Sequence, residues 1–211
     1  MRNVTDKRRN PFGMRPPCDR YVPGYGDPNA DFHVVGDHPG VHGGIETGVP
    51  FTGTSWSETF LAALVEAELL VDADPERPRA AATFFSFLHA CVPETEPPTP
   101  EAYGDMERFF DAELRAIAAH VLLPVGRRAT EHVLETYTAR RADRAADMDA
   151  LHATELHGSG WLVLPIKDPA HWVDGDGDRF VAALSTLQET DYRRESDLGR
   201  FMPGADPYFV R

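Results

Sequence analysis

The chain has 211 residues, 42% of them hydrophobic, and a formal net charge of −13. That length suits one large α/β domain or two small ones, and that apolar content argues against general disorder. No apolar run approaches the roughly 18–20 residues that span a bilayer, and residues 1–10 lack the apolar stretch of a secretory signal. These features predict a soluble cytoplasmic protein with no membrane partner.

The charge is unevenly built. Lys7 and Lys167 are the lysines; every other cation is an arginine. An acidic surplus with so little lysine predicts a carboxylate-rich surface adapted to high salt. At low salt the net charge opposes DNA, but at molar salt the screening length shrinks to about 3 Å. Two cysteines, Cys18 and Cys91, exclude a disulfide-dense scaffold and a four-cysteine zinc site.

Residues 1–30, rich in Pro, Gly, Arg and Tyr, read as an irregular arm. Asp31 to Gly36 is a β-rich run and the first predicted strand. Asp37 to Gly53 is Gly/Pro-rich and too long for a simple turn, which marks a functional loop. Ser55 or Ser57 caps a helix whose apolar face is Phe60, Leu61, Leu64, Val65 and Leu69. Thr83 to Cys91 reads as a buried strand. Thr99-Pro100-Glu101 opens a helix with proline at its first position. His120 to Gly126 is the third strand, and Arg127 to Tyr137 the helix after it. Ala139 to Leu151 is charged and alanine-rich, an exposed helix or linker. Trp161 to Ile166 is the fourth strand and Asp178 to Glu189 the last helix.

Strands alternating with helices predict an α/β fold, a three-layer α/β/α domain around a central four-stranded parallel sheet. Ligands of such sheets bind beyond the carboxyl ends of the strands. The loops after Val35, Cys91, Val125 and Ile166 therefore converge, bringing together Asp37, His38, His42, Phe51, His89, Asp168 and His171. Phe51, held in Gly48-Val49-Pro50-Phe51-Thr52-Gly53, has two readings: a plug for the core, or a ring that stacks on a planar base. Asp174 to Asp178 hints at a calcium loop. However, Arg179 and Ser185 stand where an EF-hand needs Gly and Glu, so a polar loop before a helix is the better reading. No metal site is predicted.

Four blocks in order resemble the uracil-DNA glycosylase superfamily, nearest its family-4 type. They are Gly36-Asp37-His38-Pro39-Gly40 with Gly48 to Gly53; His89-Ala90-Cys91-Val92-Pro93 with Pro98 to Ala102; Val121 to Ala129; and Asp168-Pro169-Ala170. The resemblance covers residues 15–190 or so. It implies a domain over residues 31–190, an N-terminal arm over 1–30 and a C-terminal extension over 191–211 packed on it. It also implies DNA as partner, a monomer, and hydrolysis of the N-glycosidic bond of uracil or another deaminated base after base flipping. The alternatives are a catalytically silent nucleic-acid binder and a nucleotide or small-molecule module using the same crevice.

The resemblance assigns roles. Asp37 and His38 of the first block position or activate water. Phe51 stacks on the base, with Phe87 and His89 beside it. Gly36, Pro39, Gly40, Gly53, Arg127 and Pro169 form the backbone and phosphate contacts. Arg140, Arg141 and Arg144 add a basic cluster suited to DNA backbone. Departures are equally specific. Phe87 stands where family 4 has a base-reading Asn. Asp168 stands where the last motif has its catalytic His, so His171 or Lys167 is expected to supply the positive charge. Two cysteines cannot build a four-thiolate cage, so no iron–sulfur cluster is expected.

Overall fold

The computed structural model describes residues 7–138, 145, 147–194 and 196. In chain order the strands are β1 (Tyr25–Gly26), β2 (Phe32–Gly36), β3 (Thr83–Phe87), β4 (Val121–Pro124), β5 (Leu156–Gly158) and β6 (Trp161–Val163). The helices are α1 (Pro39–His42), α2 (Ser57–Glu66), α3 (Pro100–Ile117), α4 (Gly126–Tyr137), α5 (Met148–Leu151) and α6 (Asp176–Gln188). They form one sheet in the order β1-β3-β2-β4-β6-β5.

The four predicted strands are its parallel centre: β2 lies between β3 and β4, and β6 extends the sheet beyond β4. Every residue of β2, β3 and β4 is buried, as expected when both faces are covered. Alternation then sorts neighbours to opposite sides. Val34, Phe85 and Leu123 face a core shared with Phe60 and Leu64 of α2 and Phe180 and Leu184 of α6. Val35, Leu122 and Val163 face a second core with Phe110 and Leu114 of α3 and Val133 and Leu134 of α4. The result is the expected three layers.

The sheet has six strands rather than four. β1 adds antiparallel to β3 at one edge, and β5 adds antiparallel to β6 at the other. Both edge strands are too short to leave an alternating pattern, and β5 and β6 close on a tight turn with Ser159 and Gly160 at positive φ. β3 stops at Phe87, short of Cys91, although Leu88 and His89 still donate to the carbonyls of Gly36 and Asp37 at 2.9 and 3.0 Å. β6 stops at Val163, and Ile166 returns to bridge Val125.

Helix ends follow the sequence unevenly. Thr99 caps α3 by accepting from Ala102 N–H, with Pro100 at the first position, as read. At α2 the cap residue is Trp56, with no side-chain cap bond. Ser57 instead serves the preceding turn, accepting from Thr54 N–H at 3.0 Å.

Residues 7–30, the described part of the stretch read as an arm, reach the sheet through β1 on β3. Cys18 and Cys91 are joined by a disulfide across 73 residues of sequence. Beside it Val22 donates to Ala90 and Val92 donates to Arg20, each at 2.9 Å. Near the other terminus the ring of Tyr192 packs 5.4 Å from Phe32, and Arg193 pairs with Asp31. Arg140, Arg141 and Arg144 lie outside the described residues, as do Phe201, Tyr208 and Phe209. Among the described residues no helix is long and apolar enough to cross a membrane.

Candidate active site

The site is built at the carboxyl ends of β2, β4 and β6, where the topology directs the loops. β2 ends at Gly36, and its glycine is required by packing. A Cβ there would lie 2.7 Å from the Phe87 ring and 2.8 Å from that of Phe51. Asp37 follows, and His38 then caps the single turn of α1, its Nδ1 accepting from Gly40 N–H at 3.2 Å with Pro39 at the first position. His38 is buried, and burial pushes its pKa below the ordinary value against the opposing pull of Asp37 and Glu96. A neutral imidazole with Nδ1 as acceptor is the consistent state.

His42 closes α1. Its Nδ1 accepts the backbone N–H of Asp37 at 2.9 Å. The chain turns through Gly43 and Gly44, both at positive φ. A Cβ on Gly43 would stand 2.3 Å from the Thr52 carbonyl. It returns so that Phe51 N–H donates to His42 O at 3.0 Å. Phe51 itself has φ 64°, a left-handed conformation that a bulky residue adopts only when its surroundings impose it. Its ring is fully buried among Phe60, Phe85 and Phe87. The imidazole of His42 covers it at 5.5 Å between centroids and 31° between planes.

Two further side chains hold Asp37. Tyr103, in the first turn of α3, donates its phenolic proton to the Asp37 carboxylate. Arg128, in the first turn of α4, has its Nε 3.9 Å from the same carboxylate and its guanidinium 4.5 Å over the Tyr103 ring. Burial, and then the bond to Asp37, raise the pKa of the Tyr103 phenol, which stays a donor. His89 is buried edge-on to Tyr103 at 5.6 Å, with Nδ1 3.0 Å from the Cys91 carbonyl.

From the far side comes Asp168. It caps the short 3-10 turn Pro169–His171, accepting from Ala170 N–H at 2.9 Å. Its other oxygen lies 3.7 Å from His42 Nε2. Burial opposes the charge of Asp168, yet the facing imidazole and the Ala170 amide outweigh it and hold the carboxyl below its ordinary range. Gly126, at φ 78°, lets the start of α4 come close; a Cβ there would sit 3.7 Å from His42 Nε2 and 3.8 Å from Asp168 Cβ.

Asp37, His38, Phe51, Phe87, His89 and Asp168 are thus gathered at one end of the sheet. Other expected residues are placed differently. His171 is exposed. Lys167 is committed to Asp149 at 2.7 Å and Asp176 at 3.2 Å. Asp176 also accepts Val173 N–H, which accounts for one carboxylate of the calcium-like stretch. Arg127 lies on the exposed side of α4, paired with Glu131 at 2.7 Å. Gly53 faces open space, and Gly40 borders the flexible end of Glu96. Tyr103 and Arg128 carry no sequence signal for this role, because their contact with Asp37 depends on how α3 and α4 sit against the β2 loop.

The cysteines do not suit a four-thiolate cluster. Both are consumed in the Cys18–Cys91 bond, and the Met106 sulfur, 3.6 Å from Cys91 Sγ, is a thioether. Among the described residues no group of three or more His, Cys, Asp or Glu is placed to hold a metal.

Comparison with known proteins agrees with this architecture. The family model described as the uracil DNA glycosylase superfamily matches residues 23–188. A type-5 uracil-DNA glycosylase of Thermus thermophilus is 32% identical over 140 residues, 64% of this chain and 64% of the relative. One of Pyrobaculum aerophilum is 30% identical over 128 residues, 58% and 56% of the two chains. One of Mycobacterium bovis is 30% identical over 119 residues, 54% and 44%. The match therefore spans less than two thirds of each relative's length. With the family model covering most of its length, this chain belongs to the uracil DNA glycosylase superfamily.

Proposed function

We propose that this chain is a DNA glycosylase that hydrolyses the N-glycosidic bond of uracil or another deaminated base in DNA. The observation that carries the reading is the meeting of Asp37, Phe51 and Asp168 at the carboxyl end of one parallel sheet. The type-5 uracil-DNA glycosylase names of the relatives support it. The motif blocks resemble the family-4 type, but a chain with two mutually bonded cysteines lacks that type's four-thiolate donor set.

In this reading a water oxygen bonds to C1′ of the sugar, the C1′–N bond breaks, and the base leaves with the bonding electron pair. Asp37, held by Tyr103 and flanked by Arg128, orients the water and takes its proton. His38 stays neutral beside it. Phe51 and Phe87 form the apolar wall that receives the base, with His89 behind. Gly36, Pro39, Gly40 and Pro169 hold the loop turns at the strand ends, Gly53 leaves open space beside them, and the exposed Arg127 exchanges its Glu131 partner for phosphate. His171 lies at the rim. The reading includes a cytoplasmic monomer adapted to high salt.

Excision assays on uracil-, hypoxanthine- and xanthine-containing single and double strands, run at molar potassium chloride, test this. Base release by the parent and its loss in D37N are expected; no release from any substrate sinks the reading. Phe87, which cannot hydrogen-bond a base where family 4 has Asn, favours a second reading, a silent DNA binder. Tight DNA binding without excision is its signature.

A further inference from the structure

His42 has no role in the chemistry above, yet it is the most constrained polar group of the site. It is 1% exposed. Its ring packs beside both Phe51, at 5.5 Å and 31°, and Phe87, at 6.4 Å and 29°, which themselves stand 5.5 Å apart, with Trp56 edge-on at 6.0 Å. Nδ1 accepts the Asp37 amide, so the proton of the neutral ring sits on Nε2. That Nε2 is buried without a hydrogen-bond partner, facing Asp168 across 3.7 Å. A buried donor left unsatisfied is costly, so the ring fits the aromatic slot but leaves its outer edge unpaired.

A planar heterocycle packed against Phe51, accepting from the Asp37 amide and presenting N–H to a carboxylate, has the outline of a base. We propose that His42 occupies the base slot and that an entering base replaces it ring for ring, its lactam edge read by the Asp37 amide and the Asp168 carboxylate. This rests on the glycosylase reading and names its substrate class. A lactam carries a carbonyl acceptor beside an N–H donor. The carbonyl takes the Asp37 amide, and the N–H gives Asp168 the full hydrogen bond that His42 does not make. Uracil, hypoxanthine and xanthine share this edge, as do thymine and guanine. Cytosine places a ring-nitrogen lone pair where the donor is required, and the carboxylate repels it. Asp168 thereby selects against cytosine and adenine, whose ring nitrogen is an acceptor. Gly43 and Gly44 follow His42 directly, their amides bonded to the carbonyls of Pro39 and Thr52, so the backbone stays in place and the ring leaves by side-chain rotation.

The test is binding of free uracil and free cytosine to the parent, H42A and D168N, by calorimetry and by amide and imidazole resonances. Removing the resident ring removes a competing state, so H42A should bind uracil about tenfold more tightly than the parent. Imidazole should compete, and cytosine should bind weakly. D168N, whose amide both donates and accepts, should take the two bases about equally. In the parent, uracil should shift the His42 ring and Asp37 amide signals. A folded H42A with no gain for uracil overturns the proposal. If H42A does not fold, the parent titration decides: uracil bound with His42 unmoved, or no uracil bound at all, overturns it. Excision by the parent with His42 unmoved leaves the glycosylase reading standing without this inference. A gain in H42A with no excision by the parent leaves the base slot standing without the glycosylase.

Discussion

Tyr103 donates its phenolic proton to the carboxylate of Asp37, joining the first turn of α3 to the loop that leaves β2 across 66 residues of sequence. The bond fixes the carboxylate rotamer, and the Arg128 guanidinium lies over the same phenol ring. Replacing Tyr103 by Phe keeps the ring and removes the donor. Hydrogen bonds to charged groups contribute about 1.5–3 kcal/mol, so Y103F is expected to lower the excision rate about 10- to 100-fold. Binding of substrate DNA should change little. Single-turnover kinetics, with binding measured separately, check this.

Gly36 is where β2 meets two rings. Since a Cβ would come within 2.8 Å of both Phe87 and Phe51, and both rings are buried, neither can give way cheaply. G36A is expected to lose about 1–3 kcal/mol of stability by overpacking. Urea unfolding reads the loss, and a variant as stable as the parent contradicts the packing described.

The Cys18–Cys91 bond ties the arm to the segment after β3 over a separation of 73 residues. Closing a loop of that length is worth roughly 2–5 kcal/mol through the unfolded chain. Dithiothreitol should lower the melting temperature of the parent, while a C18S/C91S double variant melts low with or without reductant. Equal melting of all samples would argue against the bond.

Glu113 of α3 is buried beside Gly24, and burial pushes its carboxyl up to about 8 from the ordinary 4.5. The folded protein therefore keeps this proton where the unfolded chain has released it. Its contribution makes stability fall as pH rises from about 4.5 to about 8, and level off beyond. The isosteric E113Q stays neutral throughout. Its stability relative to the parent should rise across that window, by a few kcal/mol at its end. Chemical denaturation at pH 5 and pH 8.5 measures the difference; a parent-to-variant gap independent of pH would refute the assignment.

Much of the architecture was legible because its causes are local. β-rich runs at Asp31–Gly36 and His120–Gly126, the Thr99-Pro100 helix start and the spacing of Phe60, Leu61 and Leu64 each act over a few residues, where periodicity and capping operate. The edge strands β1 and β5 were not, since strands of two and three residues show no period.

By itself, then, the sequence determined the parallel centre, the helical layers and the motif loops that gather Asp37, Phe51 and Asp168. It also determined the absence of thiols for a four-thiolate cluster, which is a matter of counting. Only the tertiary structure decided that Tyr103 and Arg128 hold Asp37, that Lys167 is spent on Asp149 and Asp176, and that His42 lies on Phe51 facing Asp168. Those contacts join residues from separate elements, and their distances follow from how helices seat on the sheet. No local rule of propensity or spacing carries that information.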